Sequence, residues 1–186
     1  MLVAAEAAFA ARGLDGASVR EIAAEAGFSV GGVYQFFAGK EELYVAVVDA
    51  VAADYQAAIT AALADGPFLA RLEALTEATR KFLLERHAFL TMHFGIRDGL
   101  TGELRERVQH AVDEHRRIRR RQVVALMEQG LAAGDLHTGN ADFLATAYHA
   151  LVVQTLVPRA CGLTGEPPST ERLLSFFLHG ARGPAA

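Results

Sequence analysis

The stretch SVREIAAEAGFSVGGVYQFF, residues 18–37, contains the pattern that decides the fold of the N-terminal part of the chain. Ser18 followed three residues later by Glu21 is a capping box, which predicts the start of a helix. Gly27 suits the left-handed backbone position that ends a helix, and Ser29 can cap the next one. Two helices joined by a short glycine-containing turn form a helix-turn-helix unit, which we predict over residues 18–37.

The second helix of this unit begins with two adjacent glycines, Gly31 and Gly32. Each glycine weakens a helix by about 1 kcal/mol relative to alanine, so the pair needs a physical reason. One reason is a close approach of the backbone to DNA, because the first residues of such a helix meet base edges in the major groove. Ser29, Tyr34 and Gln35 can hydrogen-bond phosphates or bases there. The alternative is a helical hairpin whose glycines only permit tight packing.

The charge of the chain does not by itself indicate a nucleic-acid partner. The 186 residues carry a formal net charge of −4, and residues 1–47 contain three basic and six acidic side chains. A DNA contact would then depend on individually placed groups and helix dipoles rather than on a basic surface. Lys40, together with the free N–H groups at the start of the following helix, is a second predicted phosphate site.

Composition and helix breakers predict an all-α chain. Hydrophobic residues make up 52 % of the sequence, and no stretch reads as a strand. Breakers separate three short helices from about six longer ones, which gives about nine helices in total. We predict a first domain over residues 1–47 and a larger second domain over residues 48–186, with the boundary inside the fourth helix. The longer helices are expected to cover roughly 40–64, 67–86, 87–99, 102–133, 140–157 and 170–180.

Residues 2–48 resemble the N-terminal DNA-binding domain of TetR-family transcriptional regulators. The resemblance is carried by a phenylalanine before ARG, the runs S-V-x-x-I-A-x-x-A-G and S-x-G-x-x-Y-x-x-F, and K-E-x-L at the start of the fourth helix. In this family a homodimer reads a pseudo-palindromic operator in double-stranded DNA, and a larger helical domain dimerises and binds an effector. By resemblance, the DNA-contacting positions are Ser18, Ser29, Gly31, Gly32, Tyr34, Gln35 and Lys40, and the core of the small domain contains Phe9, Ile22, Val33 and Phe37.

The sequence departs from the family pattern at three places. Many members carry a basic arm before the first helix, whereas this sequence starts with MLVAAEAAF. Val30 stands where a polar or basic residue is common, and Gln35 stands where histidine or an aromatic residue is common. Because residues 1–47 contain few basic side chains, we expect few phosphate contacts.

The helix predicted near residues 140–157 is apolar around most of its circumference, and the last helix looks similar. A helix of this kind is buried on more than one side. The core of the chain supplies one side, and a partner subunit in a two-fold symmetric four-helix interface supplies the other. The alternative is one large core without a partner. The predicted interface residues are Phe143, Leu144, Tyr148, Leu151, Val152, Leu173 and Phe177.

Polar side chains on otherwise apolar helix stripes indicate a small-molecule site in the second domain. A buried polar group needs a hydrogen-bond partner, which is either a protein group or a ligand. His115 and Gln122 share an apolar stripe with Ile118, whereas four arginines of the segment 115–122 fall off that stripe. A satisfied core polar group is the alternative for each residue. The predicted lining of a mostly apolar pocket is Thr79, Phe82, Phe89, Met92, His93, Phe94, His115, Gln122 and Gln154.

The sequence contains no HExxH, CxxC or GxSxG motif and no glycine-rich phosphate loop, so we predict no enzymatic activity, cofactor or metal. The single cysteine, Cys161, fits a reducing cytosol, and no continuous apolar run is long enough to span a bilayer. The prediction is a cytoplasmic DNA-binding repressor that a small, largely apolar effector releases from a palindromic operator. The alternatives are a ligand-independent DNA-binding dimer and an interaction protein that has lost DNA binding.

Overall fold

The computed structural model describes residues 1–86, 88–90, 100, 102–137, 139–160 and 165–182, with the backbone alone for 158–160 and 180–182. Every regular element within these ranges is a helix, which confirms the predicted all-α fold. Eight helices have defined bounds there: α1 (Leu2–Gly16), α2 (Val19–Glu25), α3 (Val30–Tyr34), α4 (Lys40–Ala62), α5 (Phe68–Glu85), α6 (Gly102–Ala133), α7 (Ala141–Ala160) and α8 (Thr170–Arg182).

The long helices begin where the breakers predict. The end of α7 differs, because the helix passes through Pro158 to Ala160 although we predicted that it stops at the proline. Proline removes the hydrogen bond to the carbonyl four residues earlier and crowds that carbonyl. Because Pro158 lies only two residues before the end of α7, the disturbance falls near the C-terminal end of the helix. Of the helix predicted over residues 87–99, residues 88–90 are helical and residues 91–99 lie outside the described part.

The chain divides into two compact units that alternate along the sequence. The first unit comprises Met1–Asp54 and Arg86–Glu114, and the second comprises Tyr55–Glu85 and His115–Ala186. The predicted division between residues 47 and 48 therefore does not coincide with the compact units, although it also falls inside α4. As a boundary between functional domains it stays a prediction.

Four helices build the core of the first unit. The predicted core residues Phe9, Ile22 and Val33 are buried, whereas Phe37 is only half-buried. The rings of Phe9 and Tyr44 meet edge to face, with centroids 5.3 Å apart at an angle of 87°. Burial raises the pKa of the Tyr44 phenol to about 12. These contacts join α1 to α4 and form the base on which α2 and α3 pack.

Ion pairs hold α1 from two sides within the first unit. Arg12 pairs with Glu21 of α2. Arg86 pairs with Glu6, and its Nη2 also donates to Asp54 Oδ2 at 2.8 Å. The Glu6 side chain is mostly buried, so water screens the pair between Glu6 and Arg86 less than an exposed ion pair.

The core of the second unit forms where α5 packs against α7 and α8. The Oγ1 of Thr76 lies 2.8 Å from the hydroxyl of Tyr148, and the Tyr148 ring meets the Phe177 ring edge to face at 5.4 Å. Burial raises the pKa of the Tyr148 phenol, a change that the bond to Thr76 partly opposes. In α6, a Cβ at Gly130 would lie 2.7 Å from the Phe68 ring, so the close packing of this unit requires glycine there.

Among the described helices, α4 is long and apolar enough to cross a membrane by length and composition. Core helices of other proteins pass the same test. Leu43, Tyr44, Val47 and Val48 of α4 are buried in the first unit, and this packing accounts for the apolar composition.

Candidate functional site

The turn between α2 and α3 fixes how the second helix leaves the first. Gly27 has a φ of +71°, in the left-handed region that favours glycine, which confirms the prediction for this residue. The N–H of Phe28 donates to the carbonyl of Ala23 at 2.8 Å, and the N–H of Gly27 donates to the carbonyl of Ala24 at 3.2 Å. This pair of bonds is a Schellman motif, which satisfies the last carbonyls of α2 and closes the turn.

The two predicted helix caps have different outcomes. Ser29 caps α3, because its Oγ accepts a hydrogen bond of 3.0 Å from the N–H of Gly32. Ser18 stands at the N-cap position of α2, but its side chain makes no capping bond. The predicted capping box is therefore wrong, since Glu21 is engaged by the guanidinium of Arg12 instead of reaching back to the start of its helix.

α3 turns one residue inward and most of the others outward. Val33 is buried, while Ser29, Gly31, Tyr34 and Gln35 are exposed. Tyr34 keeps 52 % of its surface exposed, so its hydroxyl is available to a partner. Four of the predicted DNA-contacting residues are thus exposed on α3 or next to its ends.

The two glycines of α3 occupy different surroundings. A Cβ at Gly32 would lie 3.2 Å from the Oγ of Ser29, so the capping serine restricts that position. A Cβ at Gly31 would have no atom of the described residues within 4 Å. The packing of the chain explains glycine at position 32 but leaves position 31 without an internal reason.

Large apolar side chains share the surface of this helix-turn-helix unit, and the sequence analysis did not assign them to the site. Phe28, Val30 and Phe36 are all exposed, with Phe36 at 65 %. The only sequence signal was the absence of a polar residue at position 30. In the major groove, apolar side chains contact the methyl group of thymine, so these residues are compatible with a base-reading surface.

The predicted phosphate site at the start of α4 is more acidic than expected. Lys40 is half-buried, and its Nζ donates to the carbonyl of Asp15 at 2.9 Å. Glu42 accepts a hydrogen bond from the N–H of Ala38 just before the helix. A carboxylate therefore occupies part of the space where a phosphate would benefit from the helix dipole. Ser18 is half-buried at the start of α2.

In the second unit, two predicted pocket residues meet around Tyr55, a residue that the sequence analysis missed. The Tyr55 hydroxyl donates to Thr79 Oγ1 at 3.4 Å, and the Tyr55 ring stacks on Phe82 with centroids 4.8 Å apart. Burial raises the pKa of Tyr55, an effect that the bond to Thr79 and the charge of Arg119 oppose. Thr79 and Phe82 therefore belong to one cluster.

A third predicted pocket residue, Gln122, belongs to a polar network. Its Oε1 accepts from Gln56 Nε2 at 2.7 Å, and its Nε2 donates to Thr60 Oγ1 at 3.1 Å. Gln56 is buried, and within the described residues its Oε1 has no hydrogen-bond partner. His115 is half-buried about two turns earlier on the same helix.

The other predicted pocket residues do not join this cluster. Gln154 is exposed on α7, so its assignment to a buried stripe is wrong; the stripe that it shares with Phe143 faces outward. Phe89 is buried but belongs to the first unit. The remaining three predictions lie outside the described residues, namely Met92, His93 and Phe94.

Arg119 is a further residue that the sequence analysis did not select. Its guanidinium lies over the Tyr55 ring at 4.7 Å from the centroid, and its Nη1 is buried without a hydrogen-bond partner among the described residues. Burial lowers the pKa of Arg119, Tyr55 opposes this effect and Arg116 adds to it. From sequence alone, a side chain within a run of arginines is expected to be solvated. The packing of α6 shows that this one is half-buried, with a buried Nη1.

The predicted dimer interface needs correction. Leu144, Tyr148, Val152, Leu173 and Phe177 are buried within the chain itself, because α7 and α8 pack on α5 and on each other. Their side chains are not on a surface that a partner could cover. Phe143 and Leu151 remain as predicted interface residues.

An outward apolar surface does exist on these helices. Phe143 and Phe176 are 63 % and 72 % exposed. Beside Phe176, an open groove of about 430 Å³ is lined by Leu151, Thr155, Pro168 and other residues of α7, α8 and the segment before α8. Within the described ranges, no group of three or more His, Cys, Asp or Glu side chains is placed to hold a metal ion.

The chain is similar to known bacterial transcriptional regulators in sequence at its N-terminal part and in fold over nearly its whole length. Residues 1–47 match the family model described as bacterial regulatory proteins, tetR family. No curated protein matches the chain at a significant level. A bacterial regulatory protein in the tetR family from Rhodococcus RHA1 is 25 % identical, with a TM-score of 0.73 over 97 % of this chain and 94 % of that one.

Two further solved structures share the fold at lower identity. A candidate transcriptional regulator from Pseudomonas aeruginosa PAO1 has a TM-score of 0.78 at 24 % identity, over 97 % of this chain and 88 % of that one. The ketosteroid transcriptional regulator KstR2 of Mycobacterium tuberculosis has a TM-score of 0.68 at 22 % identity, over 96 % of this chain and 91 % of that one.

The family model covers the helix-turn-helix part, and the structural likeness extends over nearly the whole chain. Both agree with an exposed α3 held by the Schellman turn at Gly27 and the cap at Ser29. This fold supports a DNA-binding regulator. Residues 1–47 therefore match tetR-family regulators in sequence, and the fold of nearly the whole chain is similar to that of solved transcriptional regulators of this family.

Proposed function

We propose that this protein is a homodimeric repressor that binds a two-fold symmetric operator through α3. The observation that carries the proposal is Gly31, which is exposed and has open space where a Cβ would stand. A glycine that weakens a helix without an internal reason is accounted for if the backbone there comes close to DNA. Ser29, Tyr34 and Gln35 flank it and supply hydrogen bonds to phosphates or base edges.

Charge supports a small number of contacts rather than a broad electrostatic footprint. Lys40 and the start of α4 would supply a second contact, which Glu42 weakens. A dimer would compensate by doubling every contact, with recognition helices in successive major grooves about 34 Å apart. Binding with few phosphate contacts depends only weakly on salt concentration.

The dimer would form through the outward side of α7 and α8. Phe143 and Phe176 are exposed there, and Leu151 lines the groove beside Phe176; exposed apolar patches mark association surfaces. Sedimentation velocity tests this surface: Phe143→Ser or Phe176→Ser should shift the chain toward monomer. Phe36→Ser, which removes an exposed phenylalanine from the other unit, serves as the matched control and should leave the mass unchanged.

A small, largely apolar effector would bind the second unit and release the operator. Similar folds occur in KstR2, described as a ketosteroid regulator, and in a Clostridium perfringens protein described as a candidate regulator of fatty acid metabolism. The effector would favour a wider separation of the two recognition helices, so that they no longer fit successive grooves. α4, one continuous helix with residues in both units, is the proposed route. We assign no enzymatic activity and a cytoplasmic location.

Footprinting on the DNA upstream of the gene tests the function directly. We expect a protected region with two-fold symmetry, which Tyr34→Ala and Lys40→Ala weaken. Lys81→Ala removes an exposed lysine of α5 and is the control for Lys40→Ala. Protection that no apolar compound relieves would support a ligand-independent DNA-binding dimer instead.

One observation favours a second candidate, an interaction protein without DNA binding. Residues 1–47 carry twice as many acidic as basic side chains, and the carboxylate of Glu42 lies at the predicted phosphate site. The absence of any protected DNA at low salt, where electrostatic binding is strongest, would support this candidate over the repressor.

A further inference from the structure

Among the described residues, no carboxylate is paired with Arg119. The guanidinium stays protonated in proteins, and a buried charge is normally paired. The ion pairs of the second unit engage its neighbours elsewhere: Arg120 Nη2 donates to Asp142 Oδ1 at 2.6 Å, and Arg80 is held by Glu77. Among the described residues Arg119 takes part in no ion pair, and its Nη1 is buried without an acceptor.

The groups around Arg119 are aromatic on one side and polar at one edge. The Tyr55 ring lies under the guanidinium at 4.7 Å, and Phe82 extends this ring surface by stacking on Tyr55. One residue along α4, Gln56 is buried with an unpaired Oε1, and Gln122, one turn after Arg119 on α6, contacts it at 2.7 Å. Two unpaired polar atoms therefore occur where α4 and α6 face each other.

We propose that the effector is a monoanion with an apolar body, a carboxylate, and that Arg119 binds its charged group. This rests on the proposed function, in which the second unit takes an effector. One unpaired guanidinium balances one negative charge, which matches a carboxylate better than a phosphate monoester of charge near −2. The rings of Tyr55 and Phe82 would contact the apolar body, and Gln56 Oε1 is available to a donor group of the ligand.

Calorimetry and thermal unfolding of the whole chain with three ten-carbon probes test the chemical class. Decanoate should bind at least about 10-fold more tightly than decanol, since a charge-assisted hydrogen bond contributes about 1.5–3 kcal/mol. Equal binding of decanoate and decanol, or no binding of either, would overturn the proposal. Tighter binding of decyl phosphate than of decanoate would overturn the assignment to carboxylates.

Variants at Arg119 separate ligand binding from a structural role. Arg119→Met should weaken decanoate at least about 10-fold, leave decanol unchanged, and keep or raise the unfolding midpoint without ligand, because a half-buried charge with no paired anion among the described residues is removed. A lower midpoint with unchanged decanoate binding would show that Arg119 is structural and would overturn the proposal. Arg121→Met removes an exposed arginine from the same helix and should change neither quantity.

A milder variant keeps the test decisive if Arg119→Met does not fold. Arg119→Lys retains the charge but not the planar fork, so decanoate should bind severalfold more weakly while decanol is unaffected. Operator binding is measured separately. A chain that binds DNA without preferring carboxylates contradicts this inference alone, and a chain that prefers carboxylates without binding DNA contradicts only the proposed repressor.

Discussion

Gly31 on α3 and Arg119 on α6 each break a local rule, but in different environments, because Gly31 is exposed and Arg119 is half-buried. Gly31 weakens a helix at a surface where nothing in the described chain requires a small residue. Arg119 places a charge where no described residue accepts it. The cost at Gly31 is helix propensity, about 1 kcal/mol, whereas the cost at Arg119 is desolvation. In both places the kind of cost indicates the missing partner: a close surface for Gly31 and an anion for Arg119.

Gly130, a glycine that the packing of the chain itself requires, provides the strongest test of this comparison. Gly130→Ala places a Cβ 2.7 Å from the Phe68 ring, so either the ring or α6 must shift. We expect destabilisation at the upper end of about 1–3 kcal/mol, measured by urea unfolding. Gly165→Ala, in the segment before α8 with open space around its Cβ, is the control and should change stability little. Equal stability of the two variants would contradict the packing described at Phe68.

Gly31→Ala should affect DNA binding rather than stability, in contrast to Gly130→Ala. The folded chain has room for the methyl group, so stability should stay constant or rise by up to about 1 kcal/mol. Operator affinity should fall at least about 10-fold, which corresponds to about 1.4 kcal/mol, because the methyl group would separate the backbone from DNA. Mobility-shift titration and thermal unfolding measure the two quantities. A variant that binds its operator like the parent would remove the main support for DNA contact at this residue.

The glycines of the helix-turn-helix unit show what the sequence could and could not predict. The pattern around Gly27 was sufficient to place the turn, because a left-handed residue before a capping serine has few alternatives. The same letters could not separate Gly31 from Gly32, since the difference depends on where the Ser29 hydroxyl points. Arg119 was missed for a similar reason: a run of arginines on a long helix gives no sign of which one faces Tyr55.

The predicted dimer interface shows how little an apolar helix sequence says about what covers the helix. An apolar stripe predicts burial but does not identify the partner that covers it. Leu144 and Phe177 are covered by the same chain, whereas Phe143 and Phe176 are not. The last of these was absent from the predicted interface although it adjoins a predicted residue, because a helix face is fixed only once its angle to α5 is known.

Two serines at equivalent positions provide a smaller, matched test of the helix-turn-helix unit. Ser29 caps α3 through a bond to Gly32, whereas Ser18 makes no capping bond at the start of α2. Ser29→Ala should cost about 1 kcal/mol of stability, and Ser18→Ala should cost clearly less. Chemical denaturation of both variants measures the difference. A larger loss for Ser18→Ala would restore the capping box that the structure replaces with the pair between Arg12 and Glu21.

The smallest expected effect is a change in the pH dependence of stability at His149, a residue whose pKa depends in part on the charge of Arg119. Partial desolvation, followed by the charges of Arg119, Arg116 and Arg120, lowers the pKa of His149 in the folded chain. The unfolded chain therefore takes up a proton first as pH falls, near the ordinary histidine pKa of about 6.5, so this residue makes the fold less stable below that pH and contributes nothing above it.

His149→Gln should accordingly flatten the decrease in unfolding midpoint between pH 7.5 and 5.5. The direction also reports on the proposed ligand. A carboxylate bound at Arg119 would offset one of the charges that lower the pKa of His149, so saturating decanoate should reduce the pH dependence of the parent chain and leave that of His149→Gln unchanged. If decanoate altered both equally, the charge of Arg119 would not be the link between the anion and the histidine.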